Sequence, residues 1–472
     1  MKNVALHNLG CKVNSYEIDV VAQMLQENGY NVVPFDDVAD IYIVNTCTVT
    51  NIADRKSRQM LHRAKKRNPD AVVVAIGCYV QSGMETVEKD ECIDLAIGNN
   101  RKKQIVEILE EYLKERGLLA GGDVDKTLHG TTVLDLNNTY EYEEMTLKRT
   151  AEHTRAYIKI QDGCNQFCSY CIIPYARGRV RSRKADDVIR EIEGIVAAGY
   201  KEIVLTGIHI SSYGIDFDKE AWEKGESVEV LKSEGRHDYS GESKLIDLIE
   251  KIHPIQGLER IRIGSFEPRI VTKEFATRLS KLPKVCPHFH LSLQSGCDET
   301  LKRMNRRYNT EEYLQSVENL REAFDNPAIT TDVIVGFAGE TEEEFETTKA
   351  FLQKVCFYEM HIFKYSIRKG TKAADMPNQV PEPVKTKRSA QLLTMEAAQS
   401  KEFRARYLGK EVEVLFEESK VIGGTTYQLG HTKDYVKVAV ACDENLSNTM
   451  KIVKIDSFLN DEVLLALNFT DK

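Results

Sequence analysis

Cys164, Cys168 and Cys171 stand in the run Gly163-Cys164-Asn165-Gln166-Phe167-Cys168-Ser169-Tyr170-Cys171. The C-x3-C-x2-C spacing puts three thiolates on one short loop, enough to hold three corners of a cubic 4Fe–4S cluster. The fourth iron then has no protein ligand and is open to a small molecule. A zinc knuckle is the competing reading, but it needs a fourth ligand at similarly close spacing. None follows within ten residues, and the next histidine is His209.

A second set of cysteines lies in the N-terminal third. Cys11 sits in Leu-Gly-Cys-Lys-Val-Asn-Ser-Tyr-Glu, Cys47 in Val-Asn-Thr-Cys-Thr-Val-Thr, and Cys78 in Ala-Ile-Gly-Cys-Tyr-Val. Each follows a β-rich apolar run: Val4 to Leu6, Ile41 to Val44, Val72 to Ile76. Helical patterns such as Tyr16 to Asn28 lie between them. Strands alternating with helices predict a parallel sheet, whose C-terminal strand ends share one edge. Thiolates far apart in sequence can meet there, although a cysteine after a strand is also a common core residue.

The cluster loop is similar to that of the radical S-adenosylmethionine enzymes, and residues 154–385 resemble their barrel. With the three N-terminal motifs ahead of it, in the same order, the whole chain resembles the radical methylthiotransferases. The first motif, and Leu205-Thr206-Gly207-Ile208-His209-Ile210-Ser211-Ser212-Tyr213-Gly214, look most like the MtaB-type branch. That branch acts on N6-threonylcarbamoyladenosine in tRNA. The branches acting on isopentenyladenosine or on a ribosomal protein are the near alternatives.

The elements that must position these cysteines follow from periodicity. Candidate strands are 156–160, 202–206, 260–264, 288–293, 330–335 and 361–365. Val188, Ile189, Ile192, Ile195 and Val196 make a helical stripe between the first two. Such units suggest an α/β fold with an open, partial (β/α)6 barrel of the TIM type. Barrel chemistry collects at the C-terminal strand ends, where Cys164, Gly207, Gln294 and Gly336 fall. The resemblance implies cofactor contacts from Tyr170, Thr206, Gly207, Ser292, Gln294 and Gly336. Tyr170 would face an adenine ring, or simply pack. Gly336 would let backbone approach a ligand.

The expected organisation is an N-terminal parallel α/β domain over 1–125, a linker over 126–153, and the barrel over 154–385 with an inserted loop at 214–243. A connecting helix over 386–408 follows. Short alternating strands over 409–472 then predict a small antiparallel barrel, which resembles the TRAM domain, an RNA-binding module.

At 472 residues, with 42% hydrophobic content, the chain can bury several cores. Eleven scattered cysteines are not a disulfide scaffold. No segment is apolar enough for a signal peptide or a bilayer span, so a reducing cytoplasm is expected. Cys92, Cys286, Cys297, Cys356 and Cys442 read as packing residues.

The net charge of −9 argues weakly against nucleic acid, but three basic runs lie beside the motifs. From Arg55 to Arg67 the chain carries Arg55, Lys56, Arg58, Arg63, Lys65, Lys66 and Arg67 and no acidic residue. Arg177 to Lys184 and Lys302 to Arg307 are the others. Each can position RNA phosphates or be a solvated face.

The resemblance implies two 4Fe–4S clusters, at Cys11, Cys47 and Cys78 (auxiliary) and at Cys164, Cys168 and Cys171. S-adenosylmethionine would be both methyl donor and radical source. The radical would take hydrogen from C2 of the adenine, so no acid/base residue is assigned. Expected partners are a tRNA anticodon stem-loop, a low-potential electron donor and a sulfur source, with the protein acting as a monomer. A non-catalytic iron–sulfur RNA-binding protein is the competitor from another class.

Overall fold

The computed structural model describes residues 2–118, 130–136, 139–148, 154–217 and 243–471. Most of the expected insertion, 214–243, and much of the expected linker lie outside them.

The N-terminal region is a six-stranded parallel sheet. Its strands are β1 Asn3–Asn8, β2 Asn31–Val33, β3 Ile41–Thr46, β4 Val72–Gly77, β5 Leu95–Ile97 and β6 Gly130–Thr132, in spatial order β2-β1-β3-β4-β5-β6. β3 and β4 are buried along their whole length. That is the signature of a parallel strand covered on both faces, and it explains their unbroken apolar runs. β6 corrects the expected boundary. Gly130–Thr132 lies within the segment read as a linker, yet pairs in parallel with β5. Three residues without alternation carry too little pattern to be read as a strand.

The middle of the chain supplies six parallel strands: β7 Arg155–Asp162, β9 Glu202–Gly207, β10 Arg260–Ile263, β11 His288–His290, β12 Ala328–Val335 and β13 Glu359–Lys364. β7, β9 and β10 are joined in one sheet and β11, β12 and β13 in another. Parallel bridges, Ile261 to Val285 and Phe266 to Leu291, connect the two. The result is an open partial barrel, as expected. A short strand, β8 Arg181–Ser182, pairs antiparallel to β7 at the open edge.

Ala156, Ile158 and Ile160 of β7 face the apolar core under the outer helices. Alternation therefore turns Arg155, Tyr157, Lys159 and Gln161 inward. Helix α1, Lys12–Glu27, packs on that inner face, and its Glu17 accepts from Lys159 Nζ at 2.8 Å. The N-terminal region thus closes part of the barrel with a helix, and one apolar core runs through both.

A helix over Glu382–Ala405 leads to a closed barrel of β14 Glu411–Ile422, β15 Thr425–His431, β16 Lys437–Ala441, β17 Met450–Phe458 and β18 Leu464–Asp471. Its pairings are antiparallel except one: β16 and β18 run parallel. β15 carries little apolar alternation, because Thr425 to His431 mixes polar residues and glycine. This barrel seals the base of the partial barrel. Arg260 reaches Glu413 at 3.0 Å, Arg155 reaches Glu417 at 3.1 Å, and the Arg155 and Arg262 guanidiniums lie over the Tyr435 ring.

Candidate active site

Cys47 and Cys78 directly follow β3 and β4, and Cys11 lies just beyond β1. These strands are neighbours in the order β1-β3-β4, so the parallel sheet delivers the three thiols to one edge. Cys11 and Cys47 each feel the charge of Cys78. Gly10 makes the approach possible. Its φ is +111°, and a Cβ there would stand 3.0 Å from the Cys47 Cβ and 3.2 Å from its Sγ.

Cys164, Cys168 and Cys171 occupy the loop after β7, at the same end of the barrel. The loop is pinned by Cys164 N to Gly178 O at 3.0 Å, Ser169 N to Met304 O at 3.0 Å, and Asn305 Nδ2 to Phe167 O at 2.9 Å. The next helix, Ile173–Arg177, packs against α3, Cys78–Ser82, which begins at Cys78. Asn99, just beyond β5, adds a bond from its Nδ2 to Ala176 O at 2.6 Å. The two triads are therefore held by helices that touch.

Burial pushes the Cys47 thiol up to about 11 and the Cys171 thiol to about 12, and it also raises Cys11 and Cys164. Neighbouring thiols push in the same direction. A bound cation would displace those protons and satisfy the sulfurs. Each triad offers three thiols, a donor set that fits a 4Fe–4S cluster with one open iron.

Each triad also has one arginine on a sulfur, Arg177 buried and Arg306 half-buried. Arg177 Nε donates to Cys78 Sγ at 3.2 Å, and Arg306 donates to Cys168 Sγ at 3.1 Å. Arg177 further donates to Asn14 Oδ1 at 2.6 Å and to Glu17 at 2.5 Å. Asn14 in turn donates to Leu9 O and Thr46 O, bracing the loops of Cys11 and Cys47. Glu17, fully buried, also takes Lys102 at 2.7 Å. Asp162 takes Lys159 at 2.7 Å and Arg177 at 3.3 Å. Buried charges persist only when paired and hydrogen-bonded.

This corrects the reading of two basic runs. Arg177, Arg181 and Arg183 are buried and paired, with Glu17, Asp162 and Glu191. Arg306 serves the cluster loop and Arg303 pairs with Glu344 at 2.5 Å. Arg177, Arg181 and Arg183 thus face inward, while Lys184, Lys302 and Arg307 of the same runs stay exposed. Sequence reasoning missed Asn14, Glu17, Arg177 and Arg306 as site residues, although Asn14 and Glu17 lie inside the first cysteine motif and both arginines lie in the basic runs.

The first run keeps an outward face. It forms α2, Asn51–Arg67, started by Thr50, whose side chain accepts from Ala53 N. The acid-free stretch acquires acids from elsewhere in the fold. Lys65 pairs with Asp94 at 2.8 Å, and Arg63 and Arg67 pair with Asp36. Arg58 reaches the Tyr79 hydroxyl at 3.4 Å. Arg55, Lys56 and Lys66 are exposed, with no ion pair among the described residues. Lys56, Arg63 and Lys66 line a groove of about 450 Å³ with Leu9, Gln59, Met60 and His62.

The expected cofactor contacts lie as follows. Thr206 and Gly207 end β9. Tyr170 is half-buried and meets Phe337 edge-on at 6.3 Å. The Ser292 carbonyl accepts from the Tyr308 hydroxyl. Gln294 adopts φ 71° and bridges to Val333. Gly336 makes room for the chain itself: a Cβ there would meet Lys385 Cγ at 2.3 Å. Cys286 and Cys297 are buried, as packing residues should be, whereas Cys356 is exposed at a helix end.

The open barrel with a three-cysteine loop at its strand ends defines a radical S-adenosylmethionine enzyme, and the model of the Radical SAM superfamily matches residues 158–352. That of the uncharacterized protein family UPF0004 matches residues 3–98. Among curated proteins, the threonylcarbamoyladenosine tRNA methylthiotransferase MtaB of Bacillus subtilis (strain 168) is 38% identical over 456 residues, covering 96% of this chain and 93% of its own. The tRNA-2-methylthio-N(6)-dimethylallyladenosine synthase of Thermoanaerobacter sp. (strain X514) is 35% identical, covering 88% and 83%. The chain belongs to the radical S-adenosylmethionine methylthiotransferase family. It is thus an enzyme that uses S-adenosylmethionine and iron–sulfur chemistry to transfer a methylthio group. The fold is also similar to that of the radical S-adenosylmethionine methyltransferase TsrM from Kitasatospora setae, with a TM-score of 0.50 at 14% identity over 79% of this chain and 74% of that one. No helix among the described residues is long and apolar enough to cross a membrane.

Proposed function

We propose that this protein adds a methylthio group to C2 of N6-threonylcarbamoyladenosine at position 37 of the tRNA anticodon loop. The observation that carries the reading is the joining of two three-thiol sites through α3 and the helix Ile173–Arg177. The similarity over 96% of the chain to a relative named for that substrate supports it. Cys11, Cys47 and Cys78 hold an auxiliary cluster, and Cys164, Cys168 and Cys171 hold the cluster that binds S-adenosylmethionine. When bound, these groups supply the sulfur, the methyl group and the radical.

The protein's own contribution is placement. Arg177 and Arg306 donate to one sulfur of each triad and offset its negative charge. Glu17 and Asp162 fix Arg177 and so fix the distance between the triads. α1 and the C-terminal barrel close the inner space against water. Tyr170, Thr206, Gly207, Ser292 and Gln294 line the cofactor side, with Gly336 behind them as a backbone turn. The adenine leaves its stack to enter, which a single-stranded loop permits cheaply.

α2 and the TRAM-like barrel of 409–472 hold the RNA backbone. Replacing Arg55, Lys56 and Lys66 with glutamine weakens tRNA binding and reduces the log–log salt slope by about 0.7 to 0.9 per lost phosphate contact. An unchanged slope returns α2 to a solvated face. The enzyme works as a cytoplasmic monomer supplied by a low-potential electron donor and a separate sulfur source. The deciding experiment is mass spectrometry of tRNA nucleosides from a strain lacking the gene. The methylthio derivative of threonylcarbamoyladenosine disappears there and returns on complementation; its persistence in the deletion strain overturns the reading.

A further inference from the structure

Lys12 stands in the first turn of α1, next to Cys11, and is exposed. α1 lies against the inner faces of β7 and β9. The Lys12 ammonium feels the charges of Arg155, Glu202, Arg262 and Asp332. Those four residues come from β7, β9, β10 and β12, so Lys12 projects into the space the barrel strands enclose. The acids there already have partners. Glu202 takes Arg262 at 2.8 Å, Arg260 at 3.6 Å and Arg155 at 4.0 Å. Asp332 takes His290 Nε2 at 3.4 Å, while His290 Nδ1 meets Thr330 Oγ1 at 3.0 Å. His361, from β13, stacks on His290 with ring centroids 5.9 Å apart. Lys12 has no ion pair among the described residues. The interior thus presents one uncommitted cation beside a cysteine of the auxiliary triad, above a wall of histidines.

A cation in a concave, partly desolvated space gains most from an anionic partner, and a neutral occupant leaves it unpaired. We propose that Lys12 binds the carboxylate of an amino-acid substituent on the substrate base, and so selects that base over ones with neutral substituents. This rests on the reading of the substrate given above and adds the residue that recognises it. The placement is chemically consistent: with the substituent held at Lys12, the purine lies next to Cys11, where sulfur is to be delivered.

The test uses the full-length enzyme with both clusters and an anticodon stem-loop carrying threonylcarbamoyladenosine, its methyl ester, or isopentenyladenosine. Binding is read by fluorescence anisotropy, with KM and kcat separately and iron content as a control. The wild-type enzyme binds the free acid about 100-fold more tightly than the ester, as expected for loss of one partner of an enclosed charge pair. In Lys12→Gln that preference falls to within about threefold, with the change in KM rather than kcat, at equal iron content. Lys12→Arg restores most of it. A Lys12→Gln enzyme that keeps the wild-type preference of acid over ester overturns the proposal. A wild-type enzyme that modifies none of the threonylcarbamoyladenosine RNA overturns instead the substrate reading on which it rests.

Discussion

Replacing Cys164, Cys168 and Cys171 with alanine abolishes 5′-deoxyadenosine formation, while replacing Cys11, Cys47 and Cys78 leaves it intact and stops methylthio transfer. Six cysteines divide three and three between the end of β7 and the edge of the N-terminal sheet. On the proposed assignment each triad holds four irons, so the reconstituted wild-type chain is expected to carry about eight and either triple variant about four. The readouts are iron analysis and chromatography of the cleaved cofactor. A wild-type content near four, unchanged in the N-terminal variant, removes the auxiliary site. Full product from that variant removes its role in delivering sulfur.

The second large effect is expected at Glu17. This carboxylate is fully buried and takes Lys102, Lys159 and Arg177. Burial acts to raise its pKa, but Arg177, Lys102 and Lys159 together outweigh that and hold it well below its ordinary value of 4.5. Glu17→Gln keeps the shape and removes the charge, leaving buried cations short of a counter-ion. Breaking such a cluster costs about 3–5 kcal/mol, and here it loosens the packing of α1 on β7. Since the folded pKa is depressed, the Glu17 contribution is complete above the unfolded carboxylate range and is lost as pH falls through the folded value. Thermal melts of the full chain should therefore show wild-type stability falling on the acid side of 4.5. The part of that fall due to Glu17 is missing in Glu17→Gln. An unchanged melting temperature in the variant contradicts the role of this network.

The same network links the sites chemically. Arg177 touches Cys78 Sγ, Asn14 and Glu17 together. A change at any of these reaches both triads, because the helix that ends at Arg177 begins just after Cys171. Arg177→Lys keeps the charge but not the planar fork, so it should alter the spectrum of the auxiliary cluster more than its iron content.

Much of this protein was determined by sequence alone. The C-x3-C-x2-C spacing is local, so the cluster loop was legible without a fold. The apolar runs of β3 and β4 and the helical stripes fixed the parallel α/β class, and with it the meeting of Cys11, Cys47 and Cys78 at one sheet edge, because parallel strands share their direction. Tertiary structure alone decided which charges face inward. Arg177, Arg181 and Arg306 have the same composition signal as Arg55 and Lys56, and a one-dimensional charge run cannot report which acids will lie across from it. Asp36, Asp94, Asp162 and Glu17 arrive from distant segments and set that outcome. The strand at Gly130–Thr132, the sealing of the barrel base by Tyr435 and Glu413, and the projection of Lys12 into the interior were decided the same way. Each depends on contacts between segments far apart in the chain, which periodicity and spacing do not encode.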